Sequence, residues 1–224
     1  MLKKIIAYSE KKRTAKIGLI SALVSFFAIS GVAFAANQAT INQAINDGTK
    51  SVDIVDAGGI TVASPAVSFG NLSFSFDTQD GSGTLGTASQ AIRTYNPTSG
   101  ATWSVSIAAS APGALWTSGG NTYDFNDTAG YTDGVDADTK GGQMTIDPSA
   151  GTIAGVSGCL TSNISKGTST SFVETSVNSI GLMTAAAGAP TYCRWDLTGI
   201  NLTNKVPASQ PSGSYALTLV LTVV

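Results

Sequence analysis

The sequence holds no histidine. That absence removes the Ser-His-Asp and Cys-His arrangements of nucleophilic catalysis. It also removes the commonest metal ligand and the usual general base at neutral pH. Cysteine is nearly as scarce: Cys159 and Cys193 complete the set. Two thiols without an imidazole make a poor zinc site. In an oxidising compartment an isolated pair forms a disulfide, and closing a loop of this size stabilises a fold by about 3–4 kcal/mol on the chain-entropy view. The alternative is two free, buried thiols.

Charge is sparse too, at 12% of residues, and it is unevenly placed. Lys3, Lys4, Lys11, Lys12, Arg13 and Lys16 crowd the first segment against one acid, Glu10. Ile17 to Val32 then carries no charge, and Ala33-Phe34-Ala35 supplies small residues. Basic segment, apolar run and small-residue site are the layout of a secretory signal peptide over residues 1–35, with an exported domain over 36–224. An uncleaved anchor helix is the alternative, because the apolar run is close to the length of a bilayer span. It is the single route by which this reading admits membrane contact. Position 36 is Ala rather than Cys, so no lipoprotein anchor is expected.

Without the leader, six basic residues remain against thirteen acidic ones, a formal net charge of −7. Such a domain does not suit nucleic acid, whose binding rests on phosphate neutralisation by Lys and Arg. It suits anionic lipid no better. About 189 residues remain, enough for one sizeable core. They are rich in Gly, Ser, Thr, Ala and Val, which are strand and turn residues more than helix formers.

Alternation dominates this domain. Leu72-Ser73-Phe74-Ser75-Phe76 and Trp103-Ser104-Val105-Ser106-Ile107 each put apolar residues on one face and serines on the other. Tyr215, Leu217, Leu219, Leu221 and Val223 line one face of the final segment. Each pattern predicts a half-buried strand. Weaker strands fit Ser51 to Val55, Gly59 to Val62, Gly142 to Ile146, Ser171 to Val173, Ser179 to Met183 and Trp195 to Leu202. Turn formers separate them, among them Asp56-Ala-Gly-Gly and Asp80-Gly-Ser-Gly. The expected fold is all-β, an antiparallel β-sandwich of about nine strands in one domain, preceded by a signal peptide helix. A short helix is a weak candidate over Ala39 to Asn46. Ala216 to Val224 has no charge, Pro or Gly, so as a free edge it would be an aggregation hazard. It is expected to be a central strand, or else paired with another subunit.

Four features bear on function. Gly81-Ser-Gly83-Thr-Leu-Gly86 matches the dinucleotide fingerprint in letters, but no helix-forming segment follows, so it reads as a flexible turn. Asp124, Asp127, Asp133, Asp136 and Asp138 gather hard oxygen donors on one loop, which suits Ca²⁺; a solvated acidic loop is the alternative. No carboxylate pair stands out as a glycosidase pair. Trp103 and Trp195 are expected in the core, whereas Trp116, beside Ser118-Gly-Gly, is the candidate for an exposed loop aromatic that contacts glycan or a partner.

The order of features resembles the WxL-type surface domains of Gram-positive bacteria. The likeness lies in Ser68-Phe-Gly-Asn71, in Trp103-Ser-Val105 after Asn-Pro-Thr-Ser-Gly, and in Pro207 to Tyr215 leading into a last strand. A literal Trp195-Asp-Leu197 also occurs, while Leu219-Val-Leu221 stands where a terminal Trp-x-Leu would fall. The resemblance implies a secreted, β-rich domain that binds cell wall without a covalent anchor. The expected function is a non-enzymatic structural or adhesive cell-surface protein binding cell wall or surface glycan. Its rival is a fibre or pilus subunit whose partners are other copies of itself, joined by strand addition.

Overall fold

The computed structural model describes residues 42–127 and 141–224. The leader over 1–35 lies outside them, as do Asp133, Asp136 and Asp138. Of the helix candidate over Ala39 to Asn46, the described residues 42–46 are not helical. All the described strands fall within residues 46–224, whose described residues pack as one unit.

The described residues are nearly all β. One sheet has the order β1 (Ser51–Val55), β3 (Ala91–Asn96), β13 (Cys193–Thr198), β9 (Thr152–Gly155). A second runs β11 (Thr170–Ser171), β8 (Gly142–Asp147), β14 (Ile200–Val206), β2 (Gln79–Leu85), with β7 (Asn126–Asp127) also pairing β8. A third runs β10 (Ile164–Lys166), β12 (Ser179–Ala185), β4 (Trp103–Ala109), β15 (Leu219–Val223). β5 (Trp116–Ser118) and β6 (Asn121–Tyr123) form a two-stranded ribbon. Every pairing is antiparallel. The strands outnumber the nine expected because several are pieces of two or three residues, too short to leave a periodic signal.

The first two sheets are two halves of one bent surface. β2 leads into β3, β8 into β9, and β13 into β14, each through a glycine. Gly86 and Gly199 take φ of +78° and +76°, and the Gly199 N–H donates to the Gly86 carbonyl at 2.7 Å. A Cβ on Gly86 would sit 2.8 Å from the Leu197 carbonyl oxygen. Glycine is needed here for its conformation and for its lack of a side chain. The expected strand over Trp195 to Leu202 is therefore two strands, broken at this crease.

The third sheet covers the bent surface in a sandwich-like arrangement. Alternation in β4 buries Trp103, Val105 and Ile107, as its pattern predicts. A bulge between Gly181 and Met183 lets adjacent Leu182 and Met183 both enter the core. Trp103 meets Trp195 at 5.1 Å between ring centroids, and the Trp195 indole N–H donates to the Leu160 carbonyl. Both tryptophans are core residues, as expected. Cys159 and Cys193 form the disulfide, with Cα atoms 5.8 Å apart. On the solvent side of β3, Arg93 grips its cross-strand partner Asp196 through two hydrogen bonds of 2.6 and 2.8 Å.

Three further strand expectations are corrected. Among the described residues β15 is an edge strand rather than a central one: it pairs β4 on one side, and β1 lies alongside without a ladder. Leu72 to Phe76, the clearest alternation in the sequence, is not a strand, and Leu72, Phe74 and Phe76 are 43%, 56% and 80% exposed. Its serines and aromatics have the right period, but no strand pairs with it. Gly59 to Val62 likewise contributes a single bridge, Val55 to Thr61, beside the predicted turn at Asp56.

Candidate functional site

The site is the open mouth of the sandwich beside β2. Among the described residues β2 is an edge strand, paired with β14 alone. Its inward positions include Gly81 and Gly83, which bring no side chains. Residues 66–76 run back along it as an extended strap, and their side chains occupy the vacant space. Val67 Cγ1 lies 3.0 Å from where a Cβ on Gly83 would stand, and Phe69 Cδ1 lies 3.5 Å from it. Leu72 Cδ1 and Phe69 Cδ1 lie 3.7 Å from the same point on Gly81. The glycine-rich motif is thus a strand ending in a crease, not a flexible turn. Its first two glycines admit the strap and its third makes the bend.

Few backbone bonds hold the strap. Gly70 N–H donates to the Ser82 carbonyl at 3.3 Å and Ser209 N–H to the Ser75 carbonyl at 2.8 Å. Ala66 N–H donates to Gln90 Oε1 at 2.9 Å. Val67 and Phe69 divide the mouth into two spaces. The inner one, about 340 Å³, is apolar, with Leu85, Ile107, Met144 and Leu202 on its walls. The outer one is a groove of about 680 Å³.

Aromatic rings and amides line the outer groove. Trp116 stacks on its cross-strand partner Tyr123 at 5.8 Å with planes 12° apart. Phe69 meets Trp116 edge-on at 5.7 Å, and Tyr215 meets Tyr123 at 5.1 Å. Asn204 donates to the Tyr123 hydroxyl at 2.8 Å. Gln210 donates to the Tyr215 hydroxyl at 2.7 Å and to the Thr122 carbonyl at 3.1 Å. Burial pushes the Tyr123 hydroxyl up to about 12, so it is a neutral hydrogen-bonding group at ordinary pH. Among the described residues, the Trp116 indole N–H and the Asn204 Oδ1 find no hydrogen-bond partner. A buried donor and acceptor left unmatched beside a groove favour a ligand or water that can satisfy them.

The residues singled out by sequence fare differently. Trp116 belongs to this groove but is not an exposed loop aromatic: it lies in β5 and is 8% exposed. The neighbouring Ser-Gly-Gly is the tight turn of the β5–β6 ribbon, which folds the indole inward. Asp124 is buried at 1% exposure, and its Oδ1 accepts from the Phe125 and Asn126 N–H groups at 2.6 and 3.2 Å. That carboxylate is held by backbone donors rather than presented to solvent. Asp127 closes β7. Among the described residues, no group of three or more His, Cys, Asp or Glu stands ready to hold a metal ion. Phe69, Gln210 and Tyr215 fall within the WxL-like segments without being singled out there, and Tyr123 and Asn204 carry no motif. Asn204 did leave one sign: it is the amide in an inward register otherwise occupied by Ile200 and Leu202.

No family model matches the chain, and no curated protein or solved structure matches it.

Proposed function

We propose that this chain is an exported bacterial cell-surface protein that acts by binding rather than catalysis, and that it recognises cell wall or surface glycan through the outer groove. The observation that carries this reading is the groove's lining: the aromatic rings of Trp116, Tyr123 and Tyr215 beside the amides of Asn204 and Gln210. Sugars present apolar C–H faces flanked by hydroxyls, and aromatic rings with amide partners match both. A sequence without histidine, a disulfide-closed sandwich and the basic-apolar leader support the non-catalytic, extracellular part. The WxL-like features agree with wall attachment without a covalent link.

Purified full-length chain is incubated with cell walls and pelleted. Co-sedimentation is expected at micromolar protein. Asn204→Ala is expected to weaken it about tenfold, the loss of one hydrogen-bonded contact. Protein that stays wholly in the supernatant rules the reading out.

A further inference from the structure

We infer that residues 66–76 are an exchangeable arm: the strap of a second copy of this chain docks over Gly81 and Gly83, joining copies into dimers or fibres. The space over Gly81 and Gly83 has a known occupant, because the same segment fills it within one chain. Val67, Phe69 and Leu72 supply the side chains that β2 lacks. Those contacts depend on the segment and the groove, not on the covalent link between them, so a second copy can make every one of them.

Three further observations favour exchange. The segment has the period of a strand yet makes one hydrogen bond to β2, that of Gly70 to Ser82. Glycine-rich strands specify register weakly and are prone to alternate pairing and swapping. The segment returns on itself through a bend at Phe76 and Asp77, held locally by Asp77 N–H on Ser75 Oγ at 2.9 Å. Straightening that bend loses a local bond; β1, which precedes the arm, travels with it and pairs β3 of the second copy, so the docked contacts and the β1–β3 ladder are both remade. Finally, Leu72, Phe74 and Phe76 leave an apolar row in solvent, with the two phenyl rings 5.1 Å apart, next to the bend. Extension of the arm places this row at the junction between copies, where it can be covered. Reciprocal exchange closes a dimer; head-to-tail exchange continues as a fibre. This inference does not rest on glycan binding, and either can fail alone.

Cysteine pairs test it with the native disulfide intact. Val67→Cys and Gly83→Cys variants of the full chain are mixed and oxidised. A disulfide-linked dimer is expected. It should be absent from the same mixture made with Val67→Cys and Ser169→Cys, because Ser169 precedes the opposite edge strand, β11. The double variant Val67→Cys/Gly83→Cys, oxidised at high dilution, is expected to lock as monomer and to assemble only after the lock is reduced. Deleting Thr78, which shortens the turn, gives a cysteine-free readout: the eluting mass should at least double. Dimer yield no higher than in the Ser169 mixture overturns the proposal. So does a deletion variant that remains monomeric.

Discussion

Asp47 ties the start of the described chain to the sandwich. Its carboxylate accepts from the Ser99 N–H at 3.0 Å, the Ser99 hydroxyl at 2.9 Å and the Tyr192 hydroxyl at 2.8 Å. The Ser99 backbone bond, then the Tyr192 and Ser99 hydroxyls, hold this carboxyl below its ordinary 3.8, while the Asp47 bond lifts the Tyr192 hydroxyl above its ordinary 10. The signs bracket a window. A lowered carboxyl stabilises the fold above its unfolded value and loses that contribution as pH falls through the folded one. A raised phenol contributes below its unfolded value and loses it as pH rises through the folded one. The clamp is therefore strongest between, and both groups are exposed, so the effect is modest and salt-sensitive. The protection factor of the Ser99 amide, its exchange referred to the intrinsic rate at each pH, is expected to fall on acidification through the carboxylate range before those of the core amides do. Asp47→Asn should flatten that dependence.

Individual elements show which patterns were legible and which were not. β4 was legible because its inward residues are large and apolar and its outward ones are serines, and both of its flanks are paired. Residues 72–76 have the same pattern and a different fate. Period specifies the faces of a strand, not whether a neighbour exists to bond its backbone. β2 failed in the opposite sense: glycines at its inward positions mimic a turn, and the chain that fills the gap is not periodic with them. Of the Asp-rich loop, Asp133, Asp136 and Asp138 lie outside the described residues, and Asp124 accepts from the backbone of its own turn. Trp116, expected on an exposed loop, lies instead in β5 with its indole folded inward. At the crease, the same reasoning yields a quantitative test. Gly86→Ala forces a side chain to φ +78° and against the Leu197 carbonyl, and is expected to destabilise by roughly 2–4 kcal/mol. Gly119→Ala, at φ +59° with open space around its Cβ position, should cost roughly 1 kcal/mol. Urea unfolding of both variants separates conformation from packing; equal losses would show that the crease is not tightly packed.

At the scale of the whole molecule, the all-β class followed from composition and the disulfide from an isolated cysteine pair in a chain expected to be exported, whereas the bent double sheet depends on where three glycines coincide in space. The disulfide has a further consequence if the protein works at a surface under flow. A pull on the two chain ends travels along the backbone, and at Cys159 it crosses directly to Cys193. The 33 residues between them, 34 positions apart from cysteine to cysteine, include β10, β11 and β12 and are then shielded from the load. At about 3.4 Å per extended residue, the bond withholds on the order of 110 Å of contour length. Single-molecule stretching should show a rupture length shorter by that amount in oxidised than in reduced protein. The bridge thus sets how far one subunit can be drawn out before it gives way, and leaves β12 folded for β4 and β15 to rejoin when the tension is released.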